Sequence, residues 1–206
     1  MKKSIEQLEM TLATGKPDDG KDHLRCPWGK YNDFKRLYHD DRWCKPLHDD
    51  NEMYALIVME TMSVGLSFSL ILSREAKIYE ACDGLVPSVC AEYGPSDEAR
   101  LMKADGMIHN MLKVVSIGNN ARAFLRIQEK FGSFDKYLWN FVDGNPVDHK
   151  LTRHMGAPTK DELSEKISKD LKSRGFSFMG PVITYSYLQA VGIVNDHVVD
   201  CPWHNH

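Results

Sequence analysis

Apolar residues recur at helical spacing along most of the chain, and no alternating strand pattern persists. One run extends from Asn51 to Gly65, where the glycine suits a helix C-terminal cap. Thr159 and Glu162 form a capping-box pattern at the start of a later helix. Other helical runs are predicted at 68–79, 87–94, 112–131, 134–142 and 163–175. The pattern therefore predicts an all-α fold of about seven to nine helices with short connections.

The stretch from Lys169 to Cys201 predicts two helices around a tight turn. One helix ends at Gly175, and the next starts with Pro181 at its first position. In a helix-hairpin-helix arrangement, the free N–H groups of such a turn and the positive helix N-terminus bind a phosphate without reading base sequence. An ordinary helix corner gives the same pattern, and residues 182–187 are β-prone enough for a strand, so the pattern alone leaves these alternatives open.

Length and composition suit one soluble globular domain, or two small lobes that share a core. No segment is apolar enough to span a bilayer, and residues 1–24 form a polar appendage without a signal-peptide core, so a cytoplasmic protein is expected. Five cysteines at scattered spacings argue against disulfides and leave thiols available as metal ligands. The net charge of −3 argues against a large basic surface, so any DNA contact must be local.

Four cysteine and histidine residues near the two ends of the chain are candidate metal ligands. His197 and Cys201 are four residues apart, which would place both on one face of a helical turn. Cys26 and His39 lie in the segment 24–50, which is poor in aliphatic residues and is expected to be irregular and held together by a metal. Two thiolates and two imidazoles would complete the tetrahedral set that structural Zn²⁺ prefers.

The spacing of these four residues also fits four unrelated side chains, because no CxxC half-site is present. His204 and His206 are competing ligands. The remaining cysteines, Cys44, Cys82 and Cys90, are expected to be buried as small apolar residues.

Glu60 is a carboxylate in the middle of the apolar run 51–65. Burying its charge costs several kcal/mol unless it is paired or hydrogen-bonded, so Glu60 needs a partner or faces a pocket, unless its helix face is solvated. Aromatic faces can stack on a planar base, and a carboxylate can accept hydrogen bonds from the amine of that base. Aromatic residues are unusually dense on both sides of Glu60. They are Trp28, Tyr31, Tyr38 and Trp43 upstream and Phe68 downstream. No GxGxxG, P-loop, GxSxG or HExxH motif is present.

Five sequence motifs, in order, resemble those of 3-methyladenine DNA glycosylase I. The resemblance runs from about Arg25 to Cys201 and so covers nearly the whole chain. The motifs are RCPWG at 25–29, YHDDRW at 38–43, METMSVGLSF at 59–68, FGSFDKYLWNFV at 131–142 and LSEKISKDLKSRGFSFMGPVITYSYLQAVGIVNDHVVDC at 163–201.

The resemblance implies an all-helical helix-hairpin-helix DNA glycosylase, with residues 25–206 as one domain whose two helical lobes surround a base pocket. Such an enzyme flips an alkylated base out of double-stranded DNA and hydrolyses its glycosidic bond. It releases free 3-methyladenine without cutting the strand. It is expected to act as a monomer and to have no contact with membranes.

The resemblance also assigns roles to individual residues. Glu60 matches the family's pocket carboxylate, the expected catalytic group. The residues expected to bind the base are Trp28, Tyr38, Trp43, Phe68 and Ser186, with Phe68 in place of the usual stacking tryptophan. The residues expected to contact the DNA backbone are Gly175, Phe178 and Gly180. The ligands implied for a structural Zn²⁺ are Cys26, His39, His197 and Cys201.

Several positions depart from the family pattern. Residues 61–63 replace a Gln-containing stretch, Glu75 stands where a basic residue is usual, and 106–111 lacks the usual arginines. Trp43-Cys44 replaces Trp-Gly. A reshaped pocket and a weaker phosphate grip are therefore expected. The alternatives are a non-catalytic DNA- or nucleobase-binding paralogue on the same scaffold, and a zinc-stapled interaction protein.

Overall fold

The computed structural model describes Gly20 and residues 22–30, 32–152 and 158–205. The α-helices in these ranges are α1 Asp33–Asp41, α2 Asp50–Ser63, α3 Phe68–Ala81, α4 Pro87–Cys90, α5 Pro95–Leu101, α6 Met111–Phe131, α7 Phe134–Trp139, α8 Glu162–Ser173 and α9 Pro181–Ala190. Short 3₁₀ helices span Asp22–Leu24, Pro27–Lys30, Asp83–Leu85 and Asn140–Val142. The prediction of a mostly helical fold is confirmed. None of the described helices is both long and apolar enough to cross a membrane.

Helix α2 is the centre of the fold. Every residue from Met53 to Ser63 is buried, because the helix is apolar on nearly all of its faces. It packs against α3, α6, α7 and α9. This central position carries Glu60, the one carboxylate of the buried stretch 53–63, deep into the molecule.

Helix caps explain where most of these elements begin and end. The Ser67 hydroxyl accepts the Leu70 N–H at 3.3 Å and starts α3, as its position before an apolar run predicts. Gly132 ends α6 with a φ of +86°, a conformation in which a glycine is favoured. The predicted capping box at Thr159 and Glu162 is wrong.

The cap of α8 is Asp161, not Thr159. Its carboxylate accepts the Ser164 N–H at 2.6 Å, and the Ser164 hydroxyl accepts the Asp161 N–H at 2.9 Å. The pair of Asp161 and Ser164, two residues downstream, therefore forms the capping box in place of Thr159 and Glu162. Gly94 likewise does not end α4, which stops at Cys90; it precedes Pro95, the first residue of α5.

Three other local predictions are corrected. The segment 24–50 is not wholly irregular, because Asn32 caps α1 through the Lys35 N–H at 2.9 Å. Residues 197–201 form a non-helical turn, closed by the Cys201 N–H and the Val198 carbonyl at 2.8 Å, rather than a turn of helix. The β-prone residues 182–187 lie inside α9. The strands in the described ranges are β1 Val147–Asp148 and β2 Val194–Asn195, which pair in parallel.

Helices α8 and α9 pack against each other and are joined by the α8–α9 turn, residues 174–180. Gly175 has a φ of +97° and Phe178 a φ of +61°. The Asn120 side chain of α6 holds the turn from below, since it accepts the Ser177 N–H at 2.8 Å and donates to the Ser177 carbonyl at 3.2 Å. The turn is therefore fixed to the core and does not depend on its own residues alone.

Candidate active site

A cavity of about 890 Å³ opens between α1, α2, α3 and α9. Its walls combine residues from the two ends of the chain with residues from the central helix. The predicted residues that line it are Glu60, Trp28, Tyr38, Trp43, Phe68 and Ser186. The fold therefore brings the whole predicted base-binding set together around Glu60. Tyr31 lies outside the described residues.

Glu60 is a buried carboxylic acid that lines this cavity. Its side chain is 4 % exposed. Burial raises the pKa of Glu60 from 4.5 to about 8, because desolvation penalises the carboxylate anion. The part of the chain that the structure describes places no ion-pair partner on it. A buried carboxylate that faces a cavity without a partner is suited to receive a cationic or amine-bearing ligand.

Aromatic rings form the wall beside Glu60, and we refer to Trp28, Tyr38 and Phe68 as the aromatic wall. The Tyr38 and Phe68 ring centroids are 5.1 Å apart with an interplanar angle of 62°. Trp28 and Tyr38 are 6.3 Å apart at 53°. Trp28 and Phe68 are both partly exposed, and both are candidates to stack on a planar ligand.

Trp43 lines the same cavity but is more deeply engaged in packing. It is 6 % exposed, and its ring contacts Trp28 at 4.7 Å and His197 at 4.7 Å. Its carbonyl oxygen is 3.2 Å from His197 Nε2. Trp43 therefore connects the cavity with the cysteine and histidine cluster behind it.

A polar network lies on the α9 side of the cavity and is centred on Asp196. Its carboxylate accepts the Tyr185 hydroxyl at 2.5 Å and the Gln189 amide at 2.6 Å. His149 Nδ1 lies 2.7 Å from the other oxygen. These contacts occupy both carboxylate oxygens of Asp196. Glu60 is therefore the better candidate for a chemical role in this cavity.

The four candidate metal ligands meet behind the cavity. Their donor atoms all lie within 4.8 Å of one another, and all four residues are buried. The Cys201 sulfur is 3.5 Å from His197 Nδ1 and 3.6 Å from His39 Nε2, and the Cys26 sulfur is 3.6 Å from His197 Nδ1. The cluster joins residues that are 162 and 171 positions apart in the sequence.

The outer nitrogens of both histidines are occupied. His39 Nδ1 lies 2.8 Å from the Asp40 carboxylate, which Arg25 also contacts at 2.8 Å. His197 Nε2 lies 3.2 Å from the Trp43 carbonyl oxygen. These contacts turn the other nitrogen of each ring toward the two sulfurs, which is the arrangement that outer hydrogen bonds impose on metal-binding histidines.

A sequence model of the methyladenine glycosylase family matches residues 28–205. The chain belongs to the methyladenine glycosylase family. It is 35% identical to DNA-3-methyladenine glycosylase 1 of Escherichia coli over 178 residues, 86% of this chain and 95% of the relative. It is 33% identical to the DNA-3-methyladenine glycosylase of Haemophilus influenzae over the same share of the chain and 96% of that relative.

Solved structures of methyladenine glycosylases share the fold. The 3-methyladenine DNA glycosylase I of Staphylococcus aureus is 34% identical and superposes with a TM-score of 0.85, over 88% of this chain and 97% of that chain. A variant of 3-methyladenine DNA glycosylase I in complex with 3-methyladenine also has 34% identity and a TM-score of 0.85, over 88% of this chain and 98% of that one.

In this methyladenine glycosylase the predicted DNA-backbone residues lie outside the cavity lining. Gly175, Phe178 and Gly180 belong to the α8–α9 turn, while the first turn of α9 reaches the cavity through Val182 and Ile183. The turn therefore stands at the edge of the cavity. Of the two competing ligands, His204 is not part of the cluster and lies 3.3 Å from the Asp148 carboxylate, whereas His206 lies outside the described residues. Cys44, Cys82 and Cys90 are buried free thiols, as expected.

The sequence reasoning missed several residues of the cavity. Leu66 and Val182 line its rim and are 41% and 50% exposed, which is unusual for large apolar residues and could not be recognised without the fold. Tyr185, Gln189 and Asp196 form the polar network on the opposite side. The spacing of Tyr185 and Gln189 on one helix face gave a weak signal, but nothing local pointed to Asp196.

Proposed function

We propose that this protein is a DNA-3-methyladenine glycosylase, an enzyme that hydrolyses the N-glycosidic bond between 3-methyladenine and deoxyribose in alkylated DNA. The observation that carries the proposal is the buried Glu60 carboxylate beside the aromatic wall, in a chain that matches the family over residues 28–205. The products are free 3-methyladenine and an abasic site in double-stranded DNA.

The substrate base reaches this cavity by flipping out of the duplex. An alkylated base is cheaper to unstack than a normal one, which adds selectivity before any contact in the cavity is made. Trp28 and Phe68 stack on the base, and each such contact contributes about 1–3 kcal/mol. Ser186 and the Tyr38 ring complete the surface around its edge.

Glu60 recognises the charge of the alkylated base. A 3-methyladenine base in DNA is cationic, so the anionic form of Glu60 gains an opposite charge and a hydrogen-bond donor when the base enters. The C1′–N9 bond then breaks, and its electron pair neutralises the positive charge of the base. A water oxygen adds to C1′, and its proton leaves to Glu60 or to solvent. The negative charge of Glu60 stabilises the positive charge that develops on the sugar.

The enzyme acts without cutting the DNA strand. Bifunctional glycosylases use a lysine amine to form a Schiff base with the sugar. The described lining of the cavity contains no lysine. Water is therefore the nucleophile, and the abasic strand remains intact.

The α8–α9 turn binds the DNA backbone as a helix-hairpin-helix element. The described residues offer no acceptor to the N–H groups of Phe178 and Gly180, which are partly exposed at the N-terminus of α9. A helix N-terminus favours a phosphate anion. Lys169 and Lys172 on α8 are exposed and add positive charge near the turn. This local basic surface is compatible with the net charge of −3.

Cys26, His39, His197 and Cys201 hold a structural Zn²⁺. Bonds of about 2.3 Å to sulfur and about 2.0 Å to nitrogen at a tetrahedral angle place a sulfur and a nitrogen about 3.5 Å apart. The sulfur-to-nitrogen distances of 3.5 and 3.6 Å in the cluster support this fit. The ion, when bound, ties the segment before α1 to the turn after β2. These two segments supply Trp28 and Val198 to the cavity.

Base release from methylated duplex DNA tests the proposed activity. Wild-type protein should release 3-methyladenine, identified by chromatography, and leave the strand uncut. Glu60→Gln should lower the single-turnover rate by about 10²- to 10³-fold, the range found when one electrostatic group of an active site is removed. A folded, metal-loaded protein that binds abasic or alkylated duplex but releases no base would instead favour the non-catalytic binding function.

A further inference from the structure

We propose that the ion pair between Arg42 and Glu75 positions Tyr38, and through it the aromatic wall that receives the base. This role deepens the proposed glycosylase function and rests on it. Neither residue lines the cavity, so the pair acts through its neighbours and is not catalytic.

The ion pair connects two helices that each contribute a wall residue. Arg42 follows the last residue of α1, and Glu75 lies within α3. Arg42 Nη1 is 2.8 Å from Glu75 Oε2, and the Glu75 side chain is only 1% exposed. A second polar contact, from Asn32 at the cap of α1 to Ser69 of α3, is longer, at 3.4 Å, and exposed. The buried pair is therefore the stronger polar link between α1 and α3.

In the described part of the chain, Arg42 is the one cation that pairs with the Glu75 carboxylate. Its Oε1 atom is buried without a hydrogen-bond partner in the described part of the chain. A buried carboxylate that loses its single cation is strongly destabilised, because nothing compensates its desolvation. The pair therefore resists opening and fixes the position of the Arg42 guanidinium.

Arg42 in turn holds Tyr38 from two sides. Its guanidinium carbon lies 5.4 Å from the centroid of the Tyr38 ring, and its backbone N–H donates to the Tyr38 carbonyl at 3.1 Å. The Tyr38 ring then contacts Phe68 at the start of α3. The contacts form a closed circuit from Glu75 to Arg42, to Tyr38, to Phe68 and back along α3. The distance between the two wall rings depends on this circuit.

A purely structural role makes a different prediction. If the pair only stabilised the fold, breaking it would lower the thermal midpoint, while the protein that remains folded would bind the base as before. A pair that positions Tyr38 changes the affinity for the base in protein that is fully folded. Keeping a cation at position 42 with Arg42→Lys should then preserve most of the base binding.

The experiment compares Glu75→Gln and Arg42→Met, which break the pair, with Arg42→Lys, which keeps a cation opposite Glu75 and beside Tyr38. Free 3-methyladenine is titrated against tryptophan fluorescence at a temperature where circular dichroism shows each variant folded. Affinity for undamaged duplex DNA is measured in parallel. Asp105→Asn is the matched control, since it removes the exposed pair between Asp105 and Lys77, also attached to α3.

Glu75→Gln and Arg42→Met should each weaken base binding about tenfold, within the range measured for coupled contacting residues. Affinity for undamaged duplex should stay within twofold, Asp105→Asn should behave as wild type, and Arg42→Lys should keep base binding to within about threefold of wild type. Unchanged base affinity in folded Glu75→Gln and Arg42→Met overturns the proposal, as does an Arg42→Lys variant that binds the base no better than Arg42→Met. Wild-type protein that fails to bind 3-methyladenine would overturn the proposed function itself.

Discussion

At the scale of single residues, Glu60 has the proposed role of stabilising the substrate complex, while the burial of its charge destabilises the free protein. Burial in α2 raises the pKa of Glu60 to about 8, so this carboxyl group loses its proton at a higher pH in the folded protein than its ordinary pKa would give. The sequence alone indicated that a carboxylate would be buried among apolar residues, because Glu60 is the one charged residue in the stretch 53–63. Its neighbours in the cavity were recognisable only through the family motifs, since aromatic residues in most proteins belong to the core.

Glu60→Gln should stabilise the protein increasingly as the pH rises. The pKa of this acid is raised on folding, so its stabilising contribution is complete below pH 4.5 and is lost as the pH rises toward about 8. At about 1.4 kcal/mol per pK unit, the stability gap between variant and wild type should grow by about 3 kcal/mol between pH 5 and pH 8. Urea unfolding at both values measures it.

Glu80→Gln serves as the control for this measurement, because Glu80 is an exposed carboxylate on α3. Its stability gap should stay constant between the two pH values. A gap for Glu60→Gln that is equally constant would show that Glu60 is not held in an environment that raises its pKa.

The rate of base release should depend on pH through the same group. If the anion of Glu60 stabilises the transition state, kcat/KM should rise about tenfold per pH unit below the pKa of about 8 and level off above it. Steady-state assays on methylated duplex from pH 6 to pH 9 measure this profile. A profile that is flat from pH 6 to pH 8 would assign the chemistry to another group.

At the scale of elements, we propose that the loop between α2 and α3, residues 64–67, and the α8–α9 turn contact the DNA. The loop is held by Lys113 of α6, whose ammonium donates to the Met62 carbonyl at 2.9 Å and to the Val64 carbonyl at 2.6 Å. This fixes the exposed Leu66 at the rim of the cavity. Apolar side chains at such positions insert between bases and stabilise an unstacked duplex.

Leu66→Ala should lower base release from duplex DNA about tenfold, because less apolar surface fills the gap that the flipped base leaves. Affinity for free 3-methyladenine should stay within twofold, since the free base needs no gap. Single-turnover release and base titration measure the two effects. Val89→Ala is the control, an exposed apolar residue away from the cavity. Equal losses in both assays would place Leu66 among the base contacts instead.

Gly175→Ala should weaken both the fold and DNA binding. The glycine has a φ of +97°, which strains any other residue, and an added Cβ would lie 3.2 Å from Arg126 Nη2, so the Arg126 side chain that donates to the Arg174 carbonyl of the turn must move. A non-glycine residue in left-handed backbone costs about 1–2 kcal/mol. Gly144→Ala is the matched control, with a φ of +73° and no neighbour within 4 Å. Thermal unfolding should show a loss in both variants, and duplex binding should fall only for Gly175→Ala.

The order of helices was largely predictable from periodicity and caps, since Ser67 and Gly132 act where their residue types predict. Local sequence patterns gave wrong predictions where several nearby residues could cap a helix or where distant contacts fix a turn. Asp161 caps α8 in place of Thr159, and the turn at residues 197–201 is fixed by long-range contacts of His197 rather than by helix propensity. Such choices depend on tertiary packing, which a single sequence does not show.

At the scale of the whole molecule, the cysteine and histidine cluster joins the two ends of the described chain. Spacing suggested only half of it, because the Cys26 and His39 partners are more than 150 residues away from His197 and Cys201. The shortage of aliphatic residues in segment 24–50 suggested Cys26 and His39 as the other half, and the family resemblance implied the same four residues. The convergence of the four donor atoms agrees with that pairing.

A double variant, Cys26→Ser with Cys201→Ser, should lose one equivalent of zinc and unfold at lower temperature, because metal affinity at such a site contributes directly to folding. Elemental analysis and thermal unfolding of untagged protein measure both. His204→Ala should keep the full metal content, since His204 lies apart from the cluster beside Asp148. Full zinc in the double variant would move the metal to other ligands.

The position of 3-methyladenine in a crystal of this protein tests the central claim most directly. We expect the base plane between Trp28 and Phe68, with its amine donating a hydrogen bond of about 2.9 Å to the Glu60 carboxylate. A base bound elsewhere, or one in this cavity whose nitrogen atoms all lie beyond hydrogen-bond distance of Glu60, would contradict the account.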